Sequence, residues 1–208
     1  MNKIITLLVI MNILNANDTI QPVSLSEQNQ MRGVSYHSGC PISLDDLRLV
    51  SVKYLGFDGS THVGILQVNK IIADEVVLIF DELYDIKYPV KQIAPIGKYK
   101  GSDYDSIEAD NTSAFNCRFA TGNKRYSLHA HGRAIDINPI ENPYVFSNGR
   151  TSHKASIRFL NRFQQANTPE SKAILTKDSD AVKIFKKYGW RWGGDWATKD
   201  YQHFEKSQ

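Results

Sequence analysis

Hydrophobic and polar positions first alternate between Leu49 and Asn69. Val50, Val52 and Tyr54 share one face of an extended run, and Asp58-Gly59 separates it from a second run, 61–69. An Asp-Gly step between two such runs predicts a β-hairpin. The period then changes. Ile72, Val76, Ile79, Phe80 and Leu83 recur at spacings of three and four, which predicts an amphipathic helix over 72–86 resting on the hairpin. Pro89 forces an extended exit. The polar stretch 98–113 reads as a long loop, the kind of segment that binds something. Ile135 and Ile137 alternate with Ala134, Asp136 and Asn138, a short strand stopped by Pro139. Residues 155–166 are moderately helical. Ser179 can N-cap a helix with Val182, Phe185 and Tyr188 on one face and Gly189 as its stop, and 201–205 is strand-like. Strands and helices mixed without regular alternation predict an α+β fold with an antiparallel sheet.

The N-terminus adds a compartment. Lys3 precedes an apolar run, 4–14, broken only by Thr6 and Asn12 and followed by Asn15 and Ala16. That pattern describes a secretory signal over residues 1–16, too short for the roughly twenty residues that cross a bilayer. A buried N-terminal helix is the other reading. Residues 17–39 are then a polar, Gln-rich lead-in, flexible or forming a short surface helix, and 40–208 the folded domain. The expectation is an exported chain, periplasmic or secreted, with no stable membrane insertion after signal removal.

Charge and cysteine count remove several function classes. Twenty-five Lys and Arg against 22 Asp and Glu leave +3, too little for a nucleic-acid surface, and 41% hydrophobic residues suffice for a core. Two cysteines exclude a four-cysteine metal site. In an oxidising compartment Cys40 and Cys117 pair more readily than they persist as two buried thiols. A monomer is expected.

The chemistry lies in histidines and carboxylates. His37, His62 and His153 stand in unremarkable surroundings and read as surface or core residues. His129 has different company: Ser127-Leu-His-Ala-His-Gly-Arg-Ala-Ile-Asp136 lets a histidine on a loop and an aspartate on the following strand converge, with Gly132 turning the chain. His131 is an alternative ligand. Near the C-terminus, Asp200-Tyr-Gln-His203 adds a third imidazole and another acid. Two histidines, one carboxylate and an open position make a zinc site of the catalytic type, and Asp200 is then available as general base. Residues three apart on a regular strand face opposite ways, so Asp200 must sit on a turn or bulge leading into His203.

Ser-x-His followed by Gly-x-Ala-x-Asp, and a late Asp-x-x-His, resemble the zinc D-Ala-D-Ala metallopeptidases. That family includes VanY-type carboxypeptidases, D-Ala-D-Ala dipeptidases and L-Ala-D-Glu endopeptidases. Phe115-Asn-Cys-Arg118, Ala134-Ile-Asp-Ile-Asn-Pro139, Glu141-Asn-Pro-Tyr144 and Trp192-Gly-Gly-Asp-Trp196 are similar to family segments as well, so the likeness runs over roughly 40–206. The resemblance implies His129, Asp136 and His203 as ligands of one zinc and Asp200 as catalytic acid–base. It implies Arg118 as the arginine that contacts substrate and stabilises the tetrahedral intermediate, where the residues alone also allow a structural salt-bridge partner. Ser127 would lie near the substrate path. Trp190, Trp192 and Trp196 would be mostly core, with one of them walling the groove. The fold implied is a compact hedgehog/DD-peptidase-like one, a central antiparallel sheet flanked by helices. The activity implied is hydrolysis of peptidoglycan stem peptides, foremost as D-Ala-D-Ala carboxypeptidase. An L-Ala-D-Glu endopeptidase uses the same core with different loops, 98–113 and 145–178. A non-catalytic zinc-bearing wall-binding module is the rival outside enzymes, and a complete ligand set plus Asp200 speaks against it.

Overall fold

The structure, a computed structural model, describes residues 19–163 and 167–207. The expected signal over 1–16 and the end of the helical stretch expected to reach Ala166 lie outside the described residues.

Ile20–Pro22 (β1), Leu47–Leu55 (β2) and Thr61–Asn69 (β3) form an antiparallel sheet in the order β1-β2-β3. Between β1 and β2 lies a short helix, Leu25–Met31 (α1), whose capping box joins Ser24 and Glu27. The hairpin runs in the register that the alternation predicts, Leu55 opposite Thr61, and Asp58 Oδ1 accepts the Ser60 N–H across its turn. Period-two alternation sends Val50, Val52, Leu66 and Val68 inward. There they meet Val76, Ile79, Phe80 and Leu83 of Ala73–Asp85 (α2), the residues of its three-and-four stripe. Burying each such side chain contributes about 1.5–3 kcal/mol.

The stretch 98–113 is not an open loop. It contains a tight turn at Ile96–Tyr99 and a helix, Asp103–Glu108 (α3), which Ser102 caps by accepting the Asp105 N–H at 3.2 Å. Asp103–Glu108 buries only Ser106, so no apolar stripe betrays it in the sequence. Ala134–Asp136 (β4) follows, and residues 155–163 hold a 3₁₀ turn (Lys154–Phe159) rather than an α-helix. Beyond it come Pro169–Lys172 (α4), Asp180–Lys187 (α5), Arg191–Trp192 (β5) and His203–Glu205 (β6). The α5 helix begins after Ser179 and ends at Gly189 (φ +76°), as read, although the Ser179 hydroxyl bonds back to Thr176 and not to the helix.

Strands β4, β6 and β5 form a second antiparallel sheet in that order, so the central sheet expected is two small sheets. Both contribute to one core: Ile135 and Phe204, paired across β4 and β6, pack into the same cluster as the hairpin and α2. The α+β class holds. Cys40 and Cys117 form a disulfide with Cα atoms 5.9 Å apart across a sequence separation of 77, which on the chain-entropy model stabilises by about 4 kcal/mol. It borders a second cluster in which Val23 and Met31 pack on Leu44, Leu47 and Phe115, so the segment before residue 40 is part of the fold.

Asp110 and Glu141 form a buried acid pair. Asp110 accepts the Ile140 N–H at 3.0 Å, and burial, reinforced by the Asp110 carboxylate beside it, pushes Glu141 up to about 9. Burial raises Asp110 too. The folded form therefore holds a proton that the unfolded chain releases near 4.5, and stability falls as pH climbs from 4.5 toward 9. Glu141→Gln should make that decline smaller. Urea midpoints at pH 5, 7 and 9 decide it: a wild-type decline that persists undiminished in the variant would refute the assignment.

Candidate metal centre and its cleft

The geometry of the second sheet follows from its core. With Ile135 opposite Phe204 and both fully buried, the pleat must turn Asp136 and its cross-strand partner His203 to the other face, together with Glu205. His129 arrives from a 3₁₀ turn, Leu128–His131, whose N-cap Ser127 accepts the His129 N–H at 3.3 Å. Gly132 closes that turn at φ +64°, and its carbonyl accepts the Asn69 N–H at 2.8 Å. A Cβ on Gly132 would lie 2.7 Å from Asn69 N, so only glycine lets the turn seat against the end of β3.

Three ligand atoms then meet. His129 Nε2 is 3.1 Å from Asp136 Oδ2 and 3.1 Å from His203 Nδ1, and His203 Nδ1 is 2.9 Å from Asp136 Oδ1. All three side chains are buried. Each imidazole is held from behind by its other nitrogen. His129 Nδ1 donates to the Ala114 carbonyl at 2.5 Å, and His203 Nε2 donates to Glu205 Oε2 at 3.3 Å. Such partners fix the tautomers so that the inward nitrogens present lone pairs, and two imidazoles with one carboxylate suit zinc. Burial opposes ionisation of Asp136, but the two imidazoles hold its carboxyl far below the usual range. Burial likewise disfavours charge on His203, yet its bonds to Asp136 and Glu205 raise it to about 10 while no metal competes.

Asp200 stands beside this set without joining it. The chain turns between Asp200 and His203, the His203 N–H bonding to the Asp200 carbonyl at 3.3 Å, which answers the facing problem of a regular strand. Gly193 permits the approach: a Cβ there would fall 2.4 Å from the Asp200 carbonyl oxygen. Asp200 Oδ1 is sealed from solvent and has no hydrogen-bond partner among the described residues. Burial lifts this carboxyl to about 6, against the pull of His203, His129 and Arg118.

A cleft of about 960 Å³ opens over these groups and includes Arg118, Ser127, Tyr144 and Trp196. Arg118 is tied through Nε to Asp103 Oδ1 of α3 at 3.1 Å, so it makes a salt bridge and lines the cleft at once. The Ser127 hydroxyl caps the His129 turn. Trp190 and Trp192 are core, whereas Trp196 packs against the His203 ring. His131 takes no part in the ligand set; its carbonyl receives the Asn69 amide. A second grouping, His37 with Cys40 and Cys117, is taken up by the disulfide. Two residues escaped the sequence reading. His153 lines the cleft, and Glu205 backs His203 while pairing with Arg191.

Glu205 yields a prediction. Loss of a carboxylate behind a metal-ligating histidine typically costs about ten- to a hundredfold in metal affinity. Glu205→Gln should weaken zinc binding by that factor with the fold retained, as measured by competition with a chromogenic chelator. Affinity equal to wild type would mean that Glu205 does not orient His203.

Residues 121–206 match the family model described as D-alanyl-D-alanine carboxypeptidase. No curated protein and no solved structure matches the chain. The matched segment contains His129, Asp136, Asp200, His203 and Glu205, and Arg118 lies just before it. Over that segment the chain is similar to the VanY-like D-alanyl-D-alanine carboxypeptidases, a zinc-dependent metallopeptidase family, in agreement with the resemblance carried by the motifs.

Proposed function

We propose that the protein is an exported peptidase that holds one zinc ion between His129, Asp136 and His203 and hydrolyses peptidoglycan stem peptides, foremost at the D-Ala-D-Ala bond. The observation that carries this reading is Asp200. A carboxylate oxygen sealed beside a three-donor metal set, with no partner of its own, serves no packing purpose. A pure binding module has no use for it.

Zinc, when bound, supplies Lewis acidity toward water and the scissile carbonyl. The chain supplies the rest. The Asp200 carboxylate, which borders the cleft, accepts a proton from the attacking water and delivers it to the departing amine. A carboxyl raised to about 6 both takes and returns that proton near neutral pH better than an ordinary aspartate. Arg118, steadied by Asp103, lends positive charge to the developing oxyanion, an effect of about 3–4 kcal/mol for a well-placed donor. Trp196 walls the His203 side of the cleft and limits water there.

Digestion of defined muropeptides, with products identified by mass, tests the reading. Release of terminal D-Ala from pentapeptide stems is the expected result. Cleavage after L-Ala would make the enzyme an endopeptidase on the same core, and no cleavage of either bond with zinc bound would defeat the proposal. Export is tested separately, by locating the mature chain and sequencing its N-terminus.

A further inference from the structure

The cleft contains an imidazole that the hydrolytic machinery does not use. His153 is nearly buried, with 7% of its side chain exposed, and its position is fixed from two sides. Its Nδ1 donates to Glu108 Oε2 at 2.5 Å, and its ring stacks on Tyr104 with centroids 4.4 Å apart. Both partners come from α3, the same short helix whose Asp103 steadies Arg118. His153 and Tyr104 line the cleft, whereas Glu108 does not. The acid thus stands behind the ring, and Nε2 has no partner among the described residues.

The charges around it indicate what that nitrogen meets. Of the acids lining the cleft, Asp103 is committed to Arg118, Glu205 to His203 and Arg191, and Asp200 belongs to the metal centre. Arg125 lines the same cleft and forms no ion pair among the described residues. The groups left to meet a ligand are therefore Arg125 and the His153 imidazole, with no uncommitted acid beside them. Glu108, behind Nδ1, supplies the counter-charge for a ring that binds a ligand carboxylate through Nε2–H.

We propose that His153, backed by Glu108 and stacked on Tyr104, is a substrate-binding residue that receives a free carboxylate of the peptide through Nε2–H. This rests on the peptidase reading above and extends it: α3 positions two grips, Arg118 for the reacting carbonyl and His153 for a carboxylate of the ligand.

The test uses a panel of stem peptides in which each free carboxylate is converted in turn to a carboxamide. It is run on zinc-loaded wild type, His153→Phe and, as a control, His62→Phe on the outer hairpin. Phenylalanine keeps the stack on Tyr104 and removes the donor. For wild type and the control, one amidation should raise KM by about ten- to a hundredfold with little change in kcat, the size of a charge-assisted hydrogen bond. For His153→Phe the acid and the amide should be bound alike, both near the wild-type amide value. Discrimination that survives in His153→Phe, or a wild type that cleaves the peptides without distinguishing any amide, overturns the proposal. A wild type that cleaves no member of the panel defeats the peptidase reading, and the carboxylate assignment falls with it.

Discussion

Replacing Asp200 by alanine or asparagine is expected to cut peptide release by about a hundredfold to ten-thousandfold while bound zinc stays at the wild-type level. The two results belong together because Asp200 stands beside the ligand set and not within it. Asparagine keeps the shape but cannot accept the water's proton. Little stability should be lost, since the carboxylate gives up no hydrogen bond, and removing a charge that burial already disfavours can even raise the melting temperature. Gly193→Ala should reproduce part of the effect without touching any acid, because its Cβ would press on the Asp200 carbonyl from 2.4 Å. Arg118→Ala should also keep zinc and lose turnover, through weaker stabilisation of the oxyanion. Zinc content and release rate measured on the same preparations decide among these. Unchanged hydrolysis in Asp200→Asn would remove the base assignment, and loss of metal would make Asp200 a ligand.

The hairpin and α2 were legible because they are long and their period is clean: five apolar residues at spacings of three and four can bury only as a helix. The centre was legible for a different reason. A catalytic metal set needs particular residue types at particular separations, and Ser-x-His, Gly-x-Ala-x-Asp and Asp-x-x-His provide them in few possible registers. What escaped was set by long-range packing. Glu205 could have been found, since it alternates with Phe204 just as His203 does, and a core Phe204 forces both to one face. His153 could not, for its partner Glu108 lies 45 residues away on a helix without an apolar stripe. Nor does any local pattern say that the strands sort into two sheets, because β5 is two residues long and, among the described residues, joins its sheet through β6.

Removing any single ligand should abolish metal binding and hydrolysis together, but the three losses should differ in stability. Without metal, Asp136 is the anion that both imidazoles face, and His203, lifted to about 10, is its charged partner at 2.9 Å. His203→Ala leaves the buried carboxylate with His129 alone, and breaking a buried pair in this way costs about 3–5 kcal/mol. His129→Ala leaves the Asp136–His203–Glu205 chain intact, so the metal-free protein should be milder in its loss. The same bonds set a pH dependence. The stability that charged His203 lends the metal-free fold is complete below its ordinary value of 6.5 and is lost as pH rises through about 10. Zinc must displace that proton, so its binding should release protons at pH 7 and tighten as pH rises. Calorimetric zinc titrations in buffers of different ionisation enthalpy measure the release directly. Thermal melts of the metal-free variants between pH 6 and 10 measure the stability. Binding without proton release, or His129→Ala proving less stable than His203→Ala, would show that His203 is not the charged partner of Asp136.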